Sequence, residues 1–391
     1  MKLREISKKE FEDFCDDVQE KNIFQSKEWA EVKRRFGYHT YFVGLDQSGK
    51  IRAAAMLLST ETKMLKKRIF YCPRGYMIYY RDLELLRAFT KGISEFAKEK
   101  NAIYLRISPF VSLKDRDYLG NIVEGGMNNQ KCVDNLLELG YLPVDKILYT
   151  DPRWLYKIDL SGKNNDELLS SFSDDAQNII KRNGSIGIKN RELSIEELPT
   201  FLEVLKLDKT KIDYLECKDN IKDIYEVLKK NKMISVNVVE LDIDKFMKNT
   251  TQSIENALGD ESLTEQLQKQ LETVQNLQYK YGHSIMIGGA CSFIYKNKMS
   301  TLCHVFSNQF TNYSPIYSMY YDLIKLAKKR SCDAFYMYGI DDNFTTNSLF
   351  NCYKNFHGQV VELIGEYDLV FDEFSYNREM KKLLKEKEAS K

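Results

Sequence analysis

The sequence predicts a mixed α/β protein made of two similar α/β units in tandem. Both halves of the 391-residue chain contain a hairpin of two strands, then a helix, then a further strand. Both halves also place an aromatic residue and a glycine after their last helix, in Leu139-Gly140-Tyr141 and in Phe356-His357-Gly358. Duplication of one unit explains this repeated order better than chance does.

The first half opens with a hairpin and closes with a helix. Its predicted elements are strands at 41–45, 51–58 and 64–71, a helix at 82–97, a strand at 102–107 and a helix at 129–139. The hairpin turn is Asp46-Gln47-Ser48-Gly49, whose polar residues and glycine favour a reversal of the chain. Residues 82–97 are assigned to a helix because their apolar side chains recur three and four positions apart.

The second half repeats this plan around an insertion. Its predicted elements are helices at 168–182, 195–207, 220–230 and 318–329, and strands at 186–189, 234–241, 284–294, 300–306 and 334–338. Between two of these strands, apolar residues recur at helical spacing with an interruption at 259–262. This pattern predicts an antiparallel pair of helices inserted at about 243–281.

Length and composition indicate a folded protein of two domains. A chain of 391 residues exceeds one ordinary domain, and two domains of roughly 150 to 200 residues are expected. Hydrophobic residues at 43% and charged residues at 29% exclude a disordered chain. With a net charge of +1, any contact with nucleic acid must depend on a local patch.

Neither a membrane segment nor a metal site is expected. No apolar run approaches the roughly 20 residues that span a bilayer, and residues 1–10 lack the apolar stretch of a signal peptide. We therefore expect a cytoplasmic protein. The eight cysteines form no CxxC pair, and the adjacent Cys303 and His304 have no further ligands at a zinc spacing.

Several short motifs follow one another along the chain. They are Phe24-Gln25-Ser26, Trp29-Ala30-Glu31-Val32-Lys33, the small-residue strand at 52–58, Tyr71-Cys72-Pro73-Arg74-Gly75, and the segments at 336–340, 349–358 and 360–370. Together they resemble the Fem family of aminoacyltransferases, the FemX, FemA and FemB type of enzyme that adds amino acids to peptidoglycan stem peptides. The resemblance extends over nearly the whole chain.

The resemblance implies a fold and a division into domains. The expected fold has two tandem GNAT-like (acyl-CoA N-acyltransferase-like) domains with an inserted antiparallel coiled-coil arm. The expected first domain is 1–152, joined by the C-terminal segment from about 372 to 391, and the second is 153–371, with the arm at 243–281. The arm has two open interpretations, either a stiffening or solubilising insertion or a surface that contacts tRNA or another protein.

The resemblance also implies a reaction and its partners. An amino acid would pass from aminoacyl-tRNA, the co-substrate, to an amine on a peptidoglycan precursor, either a UDP-MurNAc-peptide or lipid II, without any other cofactor. Peripheral membrane association through the substrate and pairing with a Fem-like protein remain open. Because the aminoacyl ester is already activated, a covalent nucleophile is unnecessary. The alternatives are a non-catalytic or repurposed Fem-like protein that binds the precursor or pairs with an active paralogue, and an acyltransferase with another acyl donor.

Three residues near the start are candidates for substrate binding. Lys33 matches the lysine that faces precursor phosphate in the family, and its spacing of four from Trp29 places both on one helical face. The alternative for Lys33 is a solvated helix lysine. Arg74 matches the arginine of the family's Pro-Arg-Gly turn. Its guanidinium would either clamp a phosphate or carboxylate or hold the turn through backbone carbonyls.

Several polar positions depart from the family pattern. Ser108 stands where many relatives carry an aspartate that some mechanisms use as a base, and Ala176 stands where relatives usually have arginine. Lys218 is the nearest substitute for an arginine that meets phosphate. Tyr353 occupies the column of a lysine that would stabilise the oxyanion or contact tRNA, and Lys354 is its neighbour. We therefore expect Lys354 and Tyr353 to supply the catalytic help that Ser108 cannot give.

Overall fold

The structure is a computed structural model that describes residues 1–18, 21–62, 66–194, 196–205, 216–257, 259–340, 343–344 and 346–389, apart from the side chains of 204–205, 216–220 and 338. Its strands are β1 (Lys2–Glu5), β2 (His39–Gln47), β3 (Lys50–Glu61), β4 (Arg68–Cys72), β5 (Ala102–Ile107), β6 (Ser112–Asp115), β7 (Leu142–Pro143), β8 (Trp154–Asp159), β9 (Ile188–Glu192), β10 (Ile234–Asp242), β11 (Ser284–Tyr295), β12 (Lys298–Phe306), β13 (Ala334–Ile340), β14 (Gln359–Leu363) and β15 (Tyr367–Val370). Its α-helices are α1 (Lys8–Asp17), α2 (Lys27–Arg35), α3 (Leu83–Glu99), α4 (Gln130–Glu138), α5 (Asn165–Ser170), α6 (Asp174–Ser185), α7 (Leu198–Leu205), α8 (Glu216–Lys229), α9 (Ile243–Asn256), α10 (Glu261–Tyr281), α11 (Pro315–Lys329), α12 (Ser348–Tyr353) and α13 (Glu373–Ala389).

The chain divides into two compact units. The first comprises Met1–Tyr156, Gly339–Phe344 and Gln359–Lys391, and the second comprises Lys157–Tyr338 and Thr345–Gly358. The predicted second domain ran to residue 371, whereas β14 and β15 lie in the first unit. The reason is strand pairing, because β14 pairs antiparallel with β6, and β15 pairs antiparallel with both β5 and β7.

The first unit contains a seven-stranded sheet in the order β1-β2-β3-β4-β5-β15-β7. Its neighbouring strands are antiparallel except β4 and β5, which run parallel and are connected by α3. A fully buried apolar layer, about 0% exposed, joins α3 to this sheet through side chains that include Val43, Leu57, Phe70, Phe89, Ile93 and Leu105. The predicted amphipathic helix is therefore the helix that covers this sheet.

The second unit repeats the strand order of the first. Its strands run β8-β13-β12-β11-β10-β9, and the parallel pair β12 and β13 is connected by α11. Thus β9 to β13 correspond to β1 to β5, with equivalent antiparallel pairs. The crossover helix α11 corresponds to α3. The predicted duplication of one α/β unit is confirmed.

The insertion in the second unit is a pair of helices, α9 and α10. Their outer ends meet where the Thr264 hydroxyl donates to the carbonyl of Ala257 at 3.1 Å, and their inner ends meet where the Gln278 amide donates to Asp244 at 3.0 Å. The helices are therefore antiparallel. Phe246 is fully buried at the inner end, so that end belongs to the core of the second unit.

One predicted helix is divided in two. The sequence predicted a single helix at 168–182, but the structure has α5 and α6. Ser173 separates them, since its hydroxyl accepts a hydrogen bond from the amide of Ala176 at 3.2 Å and caps α6. The predicted helix at 195–207 is α7, with residues 195 and 206–207 outside the described ranges. Within the described ranges, every helix is too short or too polar to cross a bilayer.

Candidate active site

Gln25 joins three of the motif segments in the first unit. Its side-chain amide donates to the carbonyl of Pro73 at 2.7 Å and to that of Met56 at 3.1 Å, and its oxygen accepts from the amide of Met56 at 2.8 Å. Gln25 is buried, so these bonds satisfy polar groups that water cannot reach. The contacts fix the turn that contains Arg74 against the sheet.

Arg74 lies in a constrained turn beside the ends of β4 and β5. Its backbone has a φ of 53°, in the left-handed region that residues other than glycine seldom adopt. Its amide donates to the hydroxyl of Ser108 at 2.9 Å, and its guanidinium donates to the carbonyl of Pro152 at 3.0 Å. The Nε atom lies 3.5 Å from a carboxylate oxygen of Asp151. Arg74 thus holds backbone and a carboxylate at the same time.

Asp151 brings a carboxylate to the position of Ser108. Its Oδ2 accepts a hydrogen bond from the Tyr71 phenol at 2.5 Å and another from the Ser108 hydroxyl at 2.7 Å. Burial and the nearby Asp151 carboxylate raise the pKa of Tyr71, so the phenol stays protonated and donates. The side chain of Asp151 is 16% exposed. No residue that the structure describes donates a hydrogen bond to its other oxygen, Oδ1.

Glu366 lies behind Asp151 and is 2% exposed. Its Oε1 accepts from the amide and hydroxyl of Thr150, both at 2.8 Å, and from the amide of Asp151 at 2.7 Å. Its Oε2 has no hydrogen-bond partner among the described residues. Burial, and then the charge of Asp151, raise the pKa of Glu366 to about 7. The two carboxyl groups therefore occupy unlike environments, one buried and one reaching solvent.

Arg106 is hydrogen-bonded to Asp368 and lies farther from Glu366. Its guanidinium donates two hydrogen bonds to the carboxylate of Asp368, both at 2.8 Å, and its Nε lies 4.0 Å from Glu366. The phenol of Tyr376 donates to the same Asp368 at 3.0 Å. Tyr376 belongs to α13, so this network fastens the C-terminal helix to the first unit.

Trp29 and Lys33 lie on α2, which Ser26 caps through a 3.0 Å bond from the amide of Trp29. The Lys33 ammonium lies 5.4 Å, 5.8 Å and 5.0 Å from the ring centroids of Trp29, Phe36 and Tyr38. Only 7% of Lys33 is exposed. Lys33 is thus neither a solvated lysine nor a widely accessible one, and its charge rests against aromatic faces.

Tyr353 and Lys354 end α12 in the second unit. Tyr353 is fully buried, and its hydroxyl lies 2.9 Å from that of Tyr320, which in turn lies 3.0 Å from Nδ1 of His304. Burial raises the pKa of Tyr353. Lys354 is partly exposed and donates to the side-chain oxygen of Asn351 at 3.0 Å. Of this predicted pair, Lys354 is the residue that solvent reaches.

The predicted site residues divide between the units. Trp29, Lys33 and Arg74 lie in the first unit, and Tyr353 and Lys354 lie in the second. The backbone of Lys218 lies in α8, and its side chain is outside the described part of the chain. Across the described residues, no group of three or more His, Cys, Asp or Glu side chains is arranged to hold a metal ion.

Sequence reasoning missed three residues of the polar cluster, namely Tyr71, Asp151 and Glu366. Two signals were present in the sequence. Asp151 precedes Pro152 just before a strand, and Glu366 is one of three carboxyl residues, with Glu362 and Asp368, in the apolar-rich segment at 360–371. An ionisable residue in a buried segment is costly and therefore informative.

Comparisons with known proteins agree over nearly the full length. A model of the FemAB family matches residues 6–262 and 211–385. The aminoacyltransferase FemA of Staphylococcus aureus (strain bovine RF122 / ET3-1) is 24% identical over 400 residues, which cover 94% of this chain and 94% of FemA.

Solved structures show the same fold. The crystal structure of FemX superposes with a TM-score of 0.74 at 21% identity, over 96% of this chain and 99% of FemX. A tandem GNAT protein from the clavulanic acid biosynthesis pathway superposes with a TM-score of 0.50 at 7% identity, over 85% of this chain and 83% of that protein. The fold is therefore two tandem GNAT-like units. With its sequence matched from residue 6 to residue 385, the chain belongs to the FemAB family.

Proposed function

We propose that this protein is a tRNA-dependent aminoacyltransferase that adds an amino acid to an amine on the stem peptide of a peptidoglycan precursor. One observation carries the proposal beyond family membership. A carboxylate with an open oxygen, on Asp151, lies beside Ser108 and in front of a buried carboxyl group whose pKa is raised. Carboxyl groups in such unlike environments cluster at catalytic sites, and simple binding of a precursor does not require them.

The reaction needs little beyond positioning and proton transfer. The aminoacyl ester is activated, so the site must deprotonate the acceptor amine, align it with the ester carbonyl and stabilise the oxyanion. The described cysteines are buried, and burial raises the pKa of Cys303 and of Cys352 to about 12. A thiolate nucleophile is accordingly not part of the proposed mechanism.

The proposal gives each predicted residue a role. Lys33, supported by Trp29, contacts the anionic part of the precursor, and Lys218 contacts phosphate. Arg74 is 3% exposed and donates to the carbonyl of Pro152, so it holds the turn beside Asp151. Lys354 stabilises the oxyanion or the tRNA end. Tyr353 anchors the end of the helix before Lys354, because its hydroxyl is buried and lies 2.9 Å from that of Tyr320.

The proposed partners follow from the reaction. They are an aminoacyl-tRNA as donor, with no other cofactor, and a UDP-MurNAc-peptide or lipid II as acceptor. The reaction would take place in the cytoplasm, where aminoacyl-tRNA is made. A lipid-linked acceptor would bring the protein to the membrane surface, and a Fem-like protein is a further candidate partner.

A second candidate is a Fem-like protein that binds the precursor or pairs with an active paralogue without catalysis. Three observations favour it. Ser108 replaces a carboxylate, Ala176 replaces an arginine, and the hydroxyl of Tyr353 faces the core where the family has a lysine. The two candidates differ in one measurable respect, which is turnover.

The test is transfer of labelled amino acids. The full-length protein is incubated with total tRNA charged with a labelled amino acid mixture, together with either a UDP-linked or a lipid-linked pentapeptide. We expect label in the precursor that depends on charged tRNA and disappears when the tRNA is first deacylated. Precursor binding without any transfer would support the non-catalytic candidate instead.

A further inference from the structure

The polar cluster lies at the ends of two parallel strands. Tyr71 is the penultimate residue of β4, and Ser108 directly follows β5. Carboxyl ends of neighbouring parallel strands are where α/β sheets commonly place reactive groups. Asp151 joins them from the segment that leads into β8. The Ser108 hydroxyl donates to its carboxylate, although the two residues are 43 positions apart in the sequence.

The carboxylate of Asp151 is fixed by one oxygen and open at the other. Two hydroxyl groups and the Nε of Arg74 converge on Oδ2, at 2.5 Å, 2.7 Å and 3.5 Å. Oδ1 receives no hydrogen bond from the described residues, and the side chain reaches solvent. A general base needs this combination, because its orientation must be set before the substrate binds and one lone pair must remain for the proton.

Glu366 holds the backbone of Asp151. The amide of Asp151 donates to Oε1 of Glu366, which ties the two residues together. The amide and hydroxyl of Thr150 donate to the same oxygen, so Glu366 fixes the chain at both Thr150 and Asp151. Tyr71 and Ser108 hold the side chain of Asp151 by donating to its Oδ2.

Other charged and titratable groups also face Glu366. They are Arg106 on β5, Tyr71 on β4 and Tyr149 in the segment before Asp151. Two nitrogens of the Arg106 guanidinium donate to the carboxylate of Asp368. The negative charge of Asp368 therefore partly offsets the attraction between Arg106 and Glu366. After burial, the charge of Asp151 therefore remains the largest influence on the pKa of Glu366.

We propose that Asp151 is the catalytic base of the aminoacyl transfer, with Ser108, Tyr71 and Glu366 as the residues that position it. The inference rests on the proposed function. The amine nitrogen attacks the ester carbonyl carbon, forming the N–C bond, and its proton passes to Oδ1 of Asp151. The C–O bond to the tRNA ribose then breaks, and the same proton passes to the departing ribose oxygen. Ester and amine become amide and alcohol, with no net change in protons.

The first test compares Asp151→Asn with the parent protein in the full-length chain, using charged tRNA and the precursor. We expect turnover to fall by about a hundredfold to ten-thousandfold, the usual contribution of a general base, with little change in the KM for precursor. The matched control is Asp145→Asn, an exposed aspartate that accepts a bond from the amide of Ile147. The control should transfer at the parent rate.

The second test asks whether the groups that hold Asp151 act on the chemical step. Ser108→Ala and Tyr71→Phe each remove one donor to Oδ2 of Asp151. The double variant should lower kcat by about tenfold or more with little change in the KM for precursor, because the base loses its fixed orientation. These variants also keep the inference testable if Asp151→Asn does not fold.

The outcomes separate the inference from the proposed function. If the parent protein transfers nothing from any charged tRNA, the proposed function fails and the base assignment fails with it. If the parent transfers but folded Asp151→Asn turns over within about threefold of it, only the base assignment is wrong. A folded double variant whose kcat stays at the parent value, or whose KM for precursor rises by as much as kcat falls, would also overturn the assignment.

Discussion

Replacing Glu366 with glutamine should make the first unit less sensitive to alkaline pH. Glu366 is 2% exposed, and its pKa is raised from 4.5 to about 7 by burial and by the charge of Asp151. A carboxyl group whose pKa is raised in the folded state makes its full contribution to stability at pH values below the pKa of the unfolded state, where it is protonated. That contribution is lost as the pH rises through the pKa of the folded state. Glutamine keeps the oxygen that accepts from Thr150 and Asp151 but cannot ionise.

The size of the effect follows from these two pKa values. The difference between 4.5 and about 7 corresponds to about 3 kcal/mol in total, most of which falls between pH 5 and pH 8. The free energy of unfolding of the parent should therefore fall by about 2–3 kcal/mol more than that of Glu366→Gln over this range. The two proteins should differ least at pH 5.

Urea unfolding followed by tryptophan fluorescence measures this difference in the free energy of unfolding for the first unit. The chain has two tryptophans, Trp29 and Trp154, and both lie in the first unit. Glu362→Gln is the matched control from the same segment. Both oxygens of Glu362 are paired, with Arg116 at 2.7 Å and with Arg153 at 2.8 Å. This control should be less stable than the parent at pH 8, because it leaves two partly buried guanidinium groups without their carboxylate partner.

The expected signs are opposite, which makes the comparison decisive. At pH 8, Glu366→Gln should gain stability relative to the parent, and Glu362→Gln should lose it. If Glu366→Gln loses as much stability as the parent between pH 5 and pH 8, ionisation of Glu366 does not strain the fold. The account of the two unlike carboxyl groups would then be refuted.

Three further predictions concern the remaining candidates. Lys33→Met keeps the apolar stem against its aromatic neighbours and should weaken precursor binding by about 1–3 kcal/mol in low-salt calorimetry. Arg34→Ala is the control, and unchanged affinity of Lys33→Met for the precursor would refute the role of Lys33. Lys354→Ala should lower turnover on the order of a hundredfold with little change in precursor binding, whereas transfer at the parent rate would place the oxyanion donor elsewhere. Removing residues 252–269, which spares buried Phe246, should leave thermal unfolding by circular dichroism nearly unchanged; a large cooperative loss would show that the outer arm belongs to the core.

The repeated units were predictable because local patterns encode them. Helical spacing identified α3 and α11, and turn residues identified the hairpin of β2 and β3. The boundary at residue 371 was misplaced, since the pairing of β15 with β5 joins positions more than 260 residues apart. No local pattern reports a pairing over such a distance.

The candidate site was only partly predictable for the same reason. The turn containing Arg74 was identified from its motif, and its contacts with Ser108 and Asp151 required the sheet to bring three segments together. Ser108 alone indicated that a carboxylate was missing, whereas the folded chain supplies one from Asp151 at 2.7 Å. For Tyr353 the sequence suggested more than the fold offers. It occupies the position of the family's lysine, which suggested a catalytic hydroxyl, but its side chain lies in the buried core.

Mass spectrometry of the precursor after incubation tests the central claim most directly. The full-length protein is given charged tRNA and an intact pentapeptide precursor, and a matched precursor whose free amine is acetylated serves as the control. We predict that the intact precursor gains the mass of one amino acid residue, while the acetylated precursor gains none. An unchanged mass with every charged tRNA and with both UDP-linked and lipid-linked acceptors would contradict the account.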